Sequence, residues 1–159
     1  MSRHRLHQCL LLATWPAFCW LAMQAVHETG HVLGGWLSGA RVVRVELTPW
    51  SISRTDLEPN PQPLLAAWAG PLFGAAAPAC LAWAMHRGRA PAEFLARFLA
   101  GFCLLANGLY IGCGSLQRIG DAGDLVRHGS PLWTLWLFGA LAAPLGLRLW
   151  HGLGPQFGV

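Results

Sequence analysis

Two histidines and a glutamate fall within five consecutive residues, His27-Glu28-Thr29-Gly30-His31. Residues four apart lie on the same face of a helix, so His27 and His31 can bind one Zn²⁺ between them. Glu28 projects about 100° away from His27, which makes it a poor third ligand. It is better placed to take a proton from a water molecule at the metal. The pattern therefore predicts a hydrolytic zinc centre with Glu28 as its base.

The surrounding sequence is unusually apolar. Of the 159 residues, 54% are hydrophobic and 11% are charged, with a mean hydropathy of +0.41. This composition excludes an ordinary soluble domain and predicts a multi-pass integral membrane protein in contact with a lipid bilayer. Ionisable side chains at membrane depth each cost about a few kcal/mol, so the three in the motif imply a metal or bonding partners. The sequence has no basic run interleaved with aromatic residues. We therefore expect no nucleic-acid partner.

Four apolar stretches are long enough to cross a bilayer. They lie near residues 10–37, 64–85, 94–116 and 132–150. In the link between the first and second stretches, Val43, Val45 and Leu47 alternate with polar residues, which predicts a short β-strand or hairpin. The expected fold is an all-α membrane protein with about four transmembrane helices, forming a single domain over residues 1–159.

A third zinc ligand has to come from another part of the chain, because catalytic zinc usually has three protein ligands. Asp121 and Asp124 follow the third apolar stretch. If each link reverses the chain direction, the first and third stretches run parallel, and their ends reach the same membrane face. Connectivity therefore favours these two aspartates. It does not choose between them.

Three segments of the sequence resemble the site-2 protease family of intramembrane zinc metallopeptidases. They are His27-Glu28-Thr29-Gly30-His31, Ala69-Gly70-Pro71-Leu72 at the start of the second apolar stretch, and Gly120-Asp121-Ala122-Gly123-Asp124. The last is similar to the family's L-D-G segment, with Ala122 where the family has glycine. The order and separation of the three segments match the family from Leu10 to about Val126.

The resemblance implies a metal site made of His27, His31 and Asp121, with Asp124 as the alternative ligand. Together with the residue chemistry, it predicts a zinc metalloendopeptidase that hydrolyses peptide bonds of membrane-embedded protein substrates. Glu28 would be the general base. The alternative function is a membrane zinc-binding scaffold without catalytic activity, or a degenerate protease.

Substrate contacts are predicted at the strand and in the third apolar stretch. A free strand edge near Val43 and Val45 could pair with a locally unwound substrate segment. Asn107 needs a hydrogen-bond partner at membrane depth, and it could either pack between helices or bind the substrate backbone.

The distribution of arginine gives an expectation for topology, because positive charge is enriched on the cytoplasmic side of membranes. Five arginines flank the expected metal side and four flank the opposite side. We therefore expect a plasma or inner membrane protein whose active site lies nearer the cytoplasm. The five are Arg41, Arg44, Arg54, Arg118 and Arg127, and the four are Arg3, Arg5, Arg87 and Arg89.

Overall fold

A computed structural model of the chain describes residues 3–159. The elements follow in the order α1 (Arg3–Ser38), β1 (Val42–Glu46), β2 (Arg54–Leu57), α2 (Pro63–Arg87), α3 (Glu93–Gln117), α4 (Gly120–Arg127), α5 (Leu132–Trp150) and α6 (Gly154–Phe157). Helices α1, α2, α3 and α5 are each long and apolar enough to cross a membrane. The expected fold class is confirmed, including the strand pair between the first two spans.

The spanning helices pack in the order α1, α2, α3 and α5, with α2 against both α1 and α3, and α5 against α3. Large apolar side chains such as Phe18, Trp83 and Leu141 point outward. The inner faces carry small residues. A Cβ placed on Gly34 of α1 would lie 2.2 Å from the Cβ of Ala69 in α2. Small residues at such a contact let two backbones approach closely, and this is a main source of packing energy between helices in lipid.

The two strands form an antiparallel hairpin that lies against the second half of α1. Val45 of β1 is paired with Thr55 of β2, and the side chain of Leu57 occupies the space that a Cβ on Gly35 would need. Sequence alternation indicated the first strand clearly. The second strand is only four residues long and carries Arg54 and Asp56, so its pattern is too short to stand out.

The chain reverses sharply between α3 and α4. Helix α3 ends at Gln117, and the next residue, Arg118, has a left-handed backbone (φ 55°). Gly120 follows with φ 50°. The N–H of Ile119 returns to the carbonyl of Gly114, so the chain runs back beside the helix it has just left. A Cβ at Gly120 would lie 1.8 Å from the Tyr110 hydroxyl, so this position requires glycine. The reversal carries α4 back toward the middle of α3.

The arginine distribution differs from the sequence-based expectation. Arg97 donates hydrogen bonds to the carbonyls of Leu149 and His151, which places it with the end of α5 at the membrane face opposite the hairpin. Arg148 lies in the last turn of α5 at the same face. That face therefore has six arginines and the hairpin face has five. The arginine count no longer favours a cytoplasmic active site, because the expectation left out these two helix-end residues.

Close packing of α1 on α2 gives a first testable prediction. Gly34→Ala should destabilise the protein by about 1–3 kcal/mol, because its new methyl group overlaps Ala69 and overpacking in a close-packed interior typically costs that much. Ala69→Gly in the same chain should restore most of the loss, because it removes the overlapping atom. Unfolding in detergent micelles, followed by circular dichroism, measures both effects.

Gly88→Ala is the matched control. Gly88 has an ordinary φ of −76°, and the nearest atom to an added Cβ is 3.4 Å away. This variant should be about as stable as the parent. A Gly34→Ala protein that unfolds like the parent would contradict close packing of α1 on α2.

Candidate metal centre

Helix α1 presents His27 and His31 one turn apart on its inner face. Both rings are buried, with 6% and 7% of their surface exposed, and their Nε2 atoms lie 3.0 Å apart. The His31 ring packs against the backbone of α2 at Gly70, where an added Cβ would lie 2.2 Å from Nε2. The glycine of the Ala69-Gly70-Pro71 segment therefore makes room for an imidazole of the centre.

Asp121 reaches the same point because of the reversal between α3 and α4. Its Oδ2 lies 2.7 Å from the Nε2 atom of His27 and 3.3 Å from that of His31. Its backbone N–H donates to the hydroxyl of Tyr110 at 3.3 Å. Asp124, the alternative ligand, is half-buried and pairs with Arg127 one turn further along α4. Of the two aspartates, the structure brings only Asp121 to the histidines.

The spacing of these three atoms fits a tetrahedral zinc ion. Bonds of about 2.0–2.1 Å at tetrahedral angles put ligand atoms roughly 3.3 Å apart. The three observed separations, 2.7, 3.0 and 3.3 Å, are close to that value and slightly shorter. Two imidazoles and a carboxylate also match zinc's preference for nitrogen and oxygen donors. Within residues 3–159, these three side chains form a group able to hold a metal ion.

Each histidine also makes a hydrogen bond through its other ring nitrogen, Nδ1. Nδ1 of His27 donates to Oδ1 of Asn107 at 2.6 Å, and Nδ1 of His31 donates to the carbonyl of Ala66 at 2.8 Å. Asn107 in turn donates to the carbonyl of Cys103 at 2.8 Å, which orients its amide. A metal bound at Nε2 would leave the ring proton on Nδ1, where Asn107 and the Ala66 carbonyl can accept it.

The electrostatics favour an anionic Asp121. Burial by itself disfavours the charged carboxylate, but the contacts with His27 and His31 outweigh that effect and hold the pKa of Asp121 below its usual range. The side chain is therefore ionised at neutral pH. An ionised carboxylate is the form that binds a divalent cation.

Glu28 lies beside the histidines and is 2% exposed. Its Oε2 accepts a hydrogen bond of 2.6 Å from the hydroxyl of Thr55 in β2. Both side chains border a cavity of about 750 Å³, which His31 and Asp121 also line. The cavity leaves open space beside His31, Asp121 and Glu28.

The predicted substrate contacts lie in different places. Val43 borders the large cavity. Val45 lies instead in a smaller groove beside Glu28 and Trp36. Asn107 is 1% exposed, with both amide atoms bonded within the protein. A contact between substrate and any of these three residues stays a prediction.

Sequence reasoning missed two residues of the site, Thr55 and Tyr110. Tyr110 lies three residues after Asn107 on α3, so helical spacing puts both on one face, and it is the single tyrosine of the chain. That spacing was a usable signal. No sequence pattern indicated Thr55, because its contact with Glu28 depends on how the hairpin docks on α1.

Comparison with known proteins adds a family relationship. A family model described as Peptidase M50B-like matches residues 5–112, which include His27, Glu28 and His31 and end before Asp121. No curated protein matches the chain, and no solved structure does. The match covers more than half of the sequence, and it agrees with four helices able to span a membrane. The relationship predicted from the three motifs is confirmed: this integral membrane protein belongs to the M50B-like peptidase family.

Proposed function

We propose that the protein is an intramembrane zinc metalloprotease that hydrolyses peptide bonds of membrane-embedded protein substrates. The convergence of His27, His31 and Asp121, with His31, Asp121 and Glu28 bordering a cavity of about 750 Å³, is the observation that carries the proposal. These groups are the parts that metal-assisted peptide hydrolysis needs. Membership in a peptidase family agrees with the proposal.

Zinc, when bound, supplies Lewis acidity that polarises the scissile carbonyl and makes water more acidic. His27, His31 and Asp121 would hold the ion, while Asn107 and the Ala66 carbonyl keep both imidazoles in the correct tautomer. Glu28 accepts a proton from the attacking water and passes it to the nitrogen of the leaving amine. The peptide bond breaks as the new carboxylic acid and amine separate.

The substrate has to be unwound locally, because a hydrogen-bonded helix shields its own carbonyl groups. In this proposal the hairpin supplies the edge on which the unwound segment pairs. Residues of β2 and its flanks, Ser53 to Glu58, border the same cavity as His31 and Asp121, together with Val43 of β1. We therefore place the substrate along the free edge of β2 and assign Val43 a side-chain contact.

Zinc content tests the metal site directly. The purified protein should bind close to one Zn²⁺ per chain. His27→Ala and His31→Ala should abolish binding, and Asp121→Ala should weaken it severely, because each removes one of three ligands. Asp124→Ala is the matched control and should keep its zinc. Metal analysis of dialysed protein measures all four, and equal zinc in every variant would rule out the site.

The contact between Asn107 and His27 gives a second metal-binding prediction. Asn107→Leu should weaken zinc binding about 10- to 100-fold, since it leaves Nδ1 of His27 without an acceptor. Asn107→Asp keeps an oxygen at the same position and should bind zinc nearly as well as the parent. Competition with a chelator of known affinity gives both values. Equal affinities for the leucine and aspartate variants would contradict this support of His27.

The role of Glu28 separates a protease from a zinc-binding scaffold. Glu28→Gln should retain zinc but lower cleavage by roughly 10² or more, since an amide cannot accept the proton and general-base catalysis is typically worth 10² to 10⁴. Single-turnover cleavage of fluorescent membrane-spanning peptides with a Gly-Pro break in the helix provides the measurement.

Glu93→Gln serves as control for that experiment, because Glu93 lies at the start of α3 and contacts His86. It should cleave at the parent rate. A zinc-loaded parent that cleaves no peptide of the panel would favour the non-catalytic scaffold. A Glu28→Gln protein as fast as the parent would exclude Glu28 as the base.

A further inference from the structure

We propose that Thr55 positions the carboxylate of Glu28 for proton transfer, so that docking of the β1–β2 hairpin on α1 completes the catalytic apparatus. This inference rests on the proposed proteolytic function and adds a residue to it. Thr55 is a positioning residue, since it acts through Glu28 and not on the substrate. The donor comes from a different structural element, 27 residues further along the chain.

The carboxylate of Glu28 is buried in apolar surroundings. It is 2% exposed on a helix of mostly apolar residues, and a buried carboxylate is costly unless donors satisfy it. Among the hydrogen bonds of residues 3–159, the one from Oγ1 of Thr55 to Oε2 is the bond that this carboxylate accepts, at 2.6 Å. A hydroxyl bound to an ionised carboxylate makes a short, strong hydrogen bond. Thr55 therefore supplies the donor that the buried Oε2 of Glu28 needs.

The same bond restrains the direction of the carboxylate. A glutamate side chain has several rotatable bonds and loses considerable freedom when it is fixed. Thr55 holds Oε2, which leaves Oε1 to accept the proton. Catalytic groups must be held close to their productive geometry for full rate, so losing this restraint should slow proton transfer without removing the base.

The hairpin brings Thr55 to Glu28 through its packing on α1. Val45, paired with Thr55 across the two strands, lies in a groove beside Glu28 and Val32. Leu57, two residues after Thr55 on the same face of the strand, contacts Gly35 one turn from the end of α1. The strand that borders the substrate cavity thus also orients the base. In this proposal β2 both pairs with the substrate and positions the base.

Thr55→Val and Thr55→Ser test the proposal. Valine has the shape of threonine and suits a strand, but it cannot donate a hydrogen bond. In the zinc-loaded, full-length protein, Thr55→Val should lower kcat about tenfold or more with KM and zinc content unchanged, as expected for losing a hydrogen bond to a charged group. Thr55→Ser keeps the donor and should restore most of the rate. A fluorescent membrane-spanning peptide with a Gly-Pro break is the probe.

An infrared measurement reports the contact without turnover. Subtracting the spectrum of the corresponding Glu28→Gln protein isolates the carboxylate band of Glu28. That band should shift in Thr55→Val and stay in place in Thr55→Ser. An unshifted band in Thr55→Val would overturn the proposal, as would an unchanged kcat. A rise in KM with unchanged kcat would assign Thr55 to hairpin structure instead.

The two experiments also separate this inference from the proposed function. If the parent cleaves and Thr55→Val cleaves equally well, only the inference fails. If the parent cleaves no peptide while the band still shifts, the proteolytic function fails and takes the positioning role with it. The hydrogen bond would then serve stability alone.

Discussion

Ionisable side chains that are buried between apolar helices must find partners inside the protein, because lipid offers none. His27, Glu28 and His31 lie on one turn of α1 and are each less than a tenth exposed. Four neighbouring elements contribute to satisfying them. Helix α2 supplies a carbonyl, α3 an amide, α4 a carboxylate and the hairpin a hydroxyl. The arrangement of the fold around α1 follows from this requirement.

Glycine makes that arrangement possible on the side of α2. A Cβ on Gly70 would overlap the His31 ring, and one on Gly74 would lie 2.9 Å from the amide of Asn107. These two residues are one turn apart on one face of α2, so a single face of small residues accommodates both a proposed ligand and the support of another. Small residues in membrane helices are usually discussed as packing sites. Here the space that they leave is filled by polar groups of the candidate centre.

The hairpin connects the centre to the place where we propose that substrate binds. Its second strand borders the large cavity and donates a hydroxyl to Glu28. A helical substrate has to become extended before a peptidase can reach its carbonyl group, and a strand edge is the natural partner of an extended chain. Placing the base and that edge on adjoining elements would couple recognition to chemistry, because movement of β2 would affect both.

The local parts of this protein could be predicted from sequence because their signals repeat over short distances. Apolar runs predicted the four spanning helices, alternation predicted the first strand, and the spacing of His27 and His31 predicted a shared helix face. The order and separation of the three motifs were sufficient to identify the family. Asp121 was named as a ligand by resemblance to that family, whereas connectivity alone left Asp124 equally open.

Only the tertiary structure decided which side chains meet through chain reversal and through docking of the hairpin. The left-handed backbone at Arg118 and Gly120 turns α4 back, so that Asp121 reaches the histidines while Asp124 pairs with Arg127. No short-range pattern encodes that direction, because it results from a turn packed against α3. The contact of Thr55 with Glu28 likewise joins two elements with no shared periodicity. The sequence alone determined which residues could do chemistry, and packing between distant segments determined which of them meet.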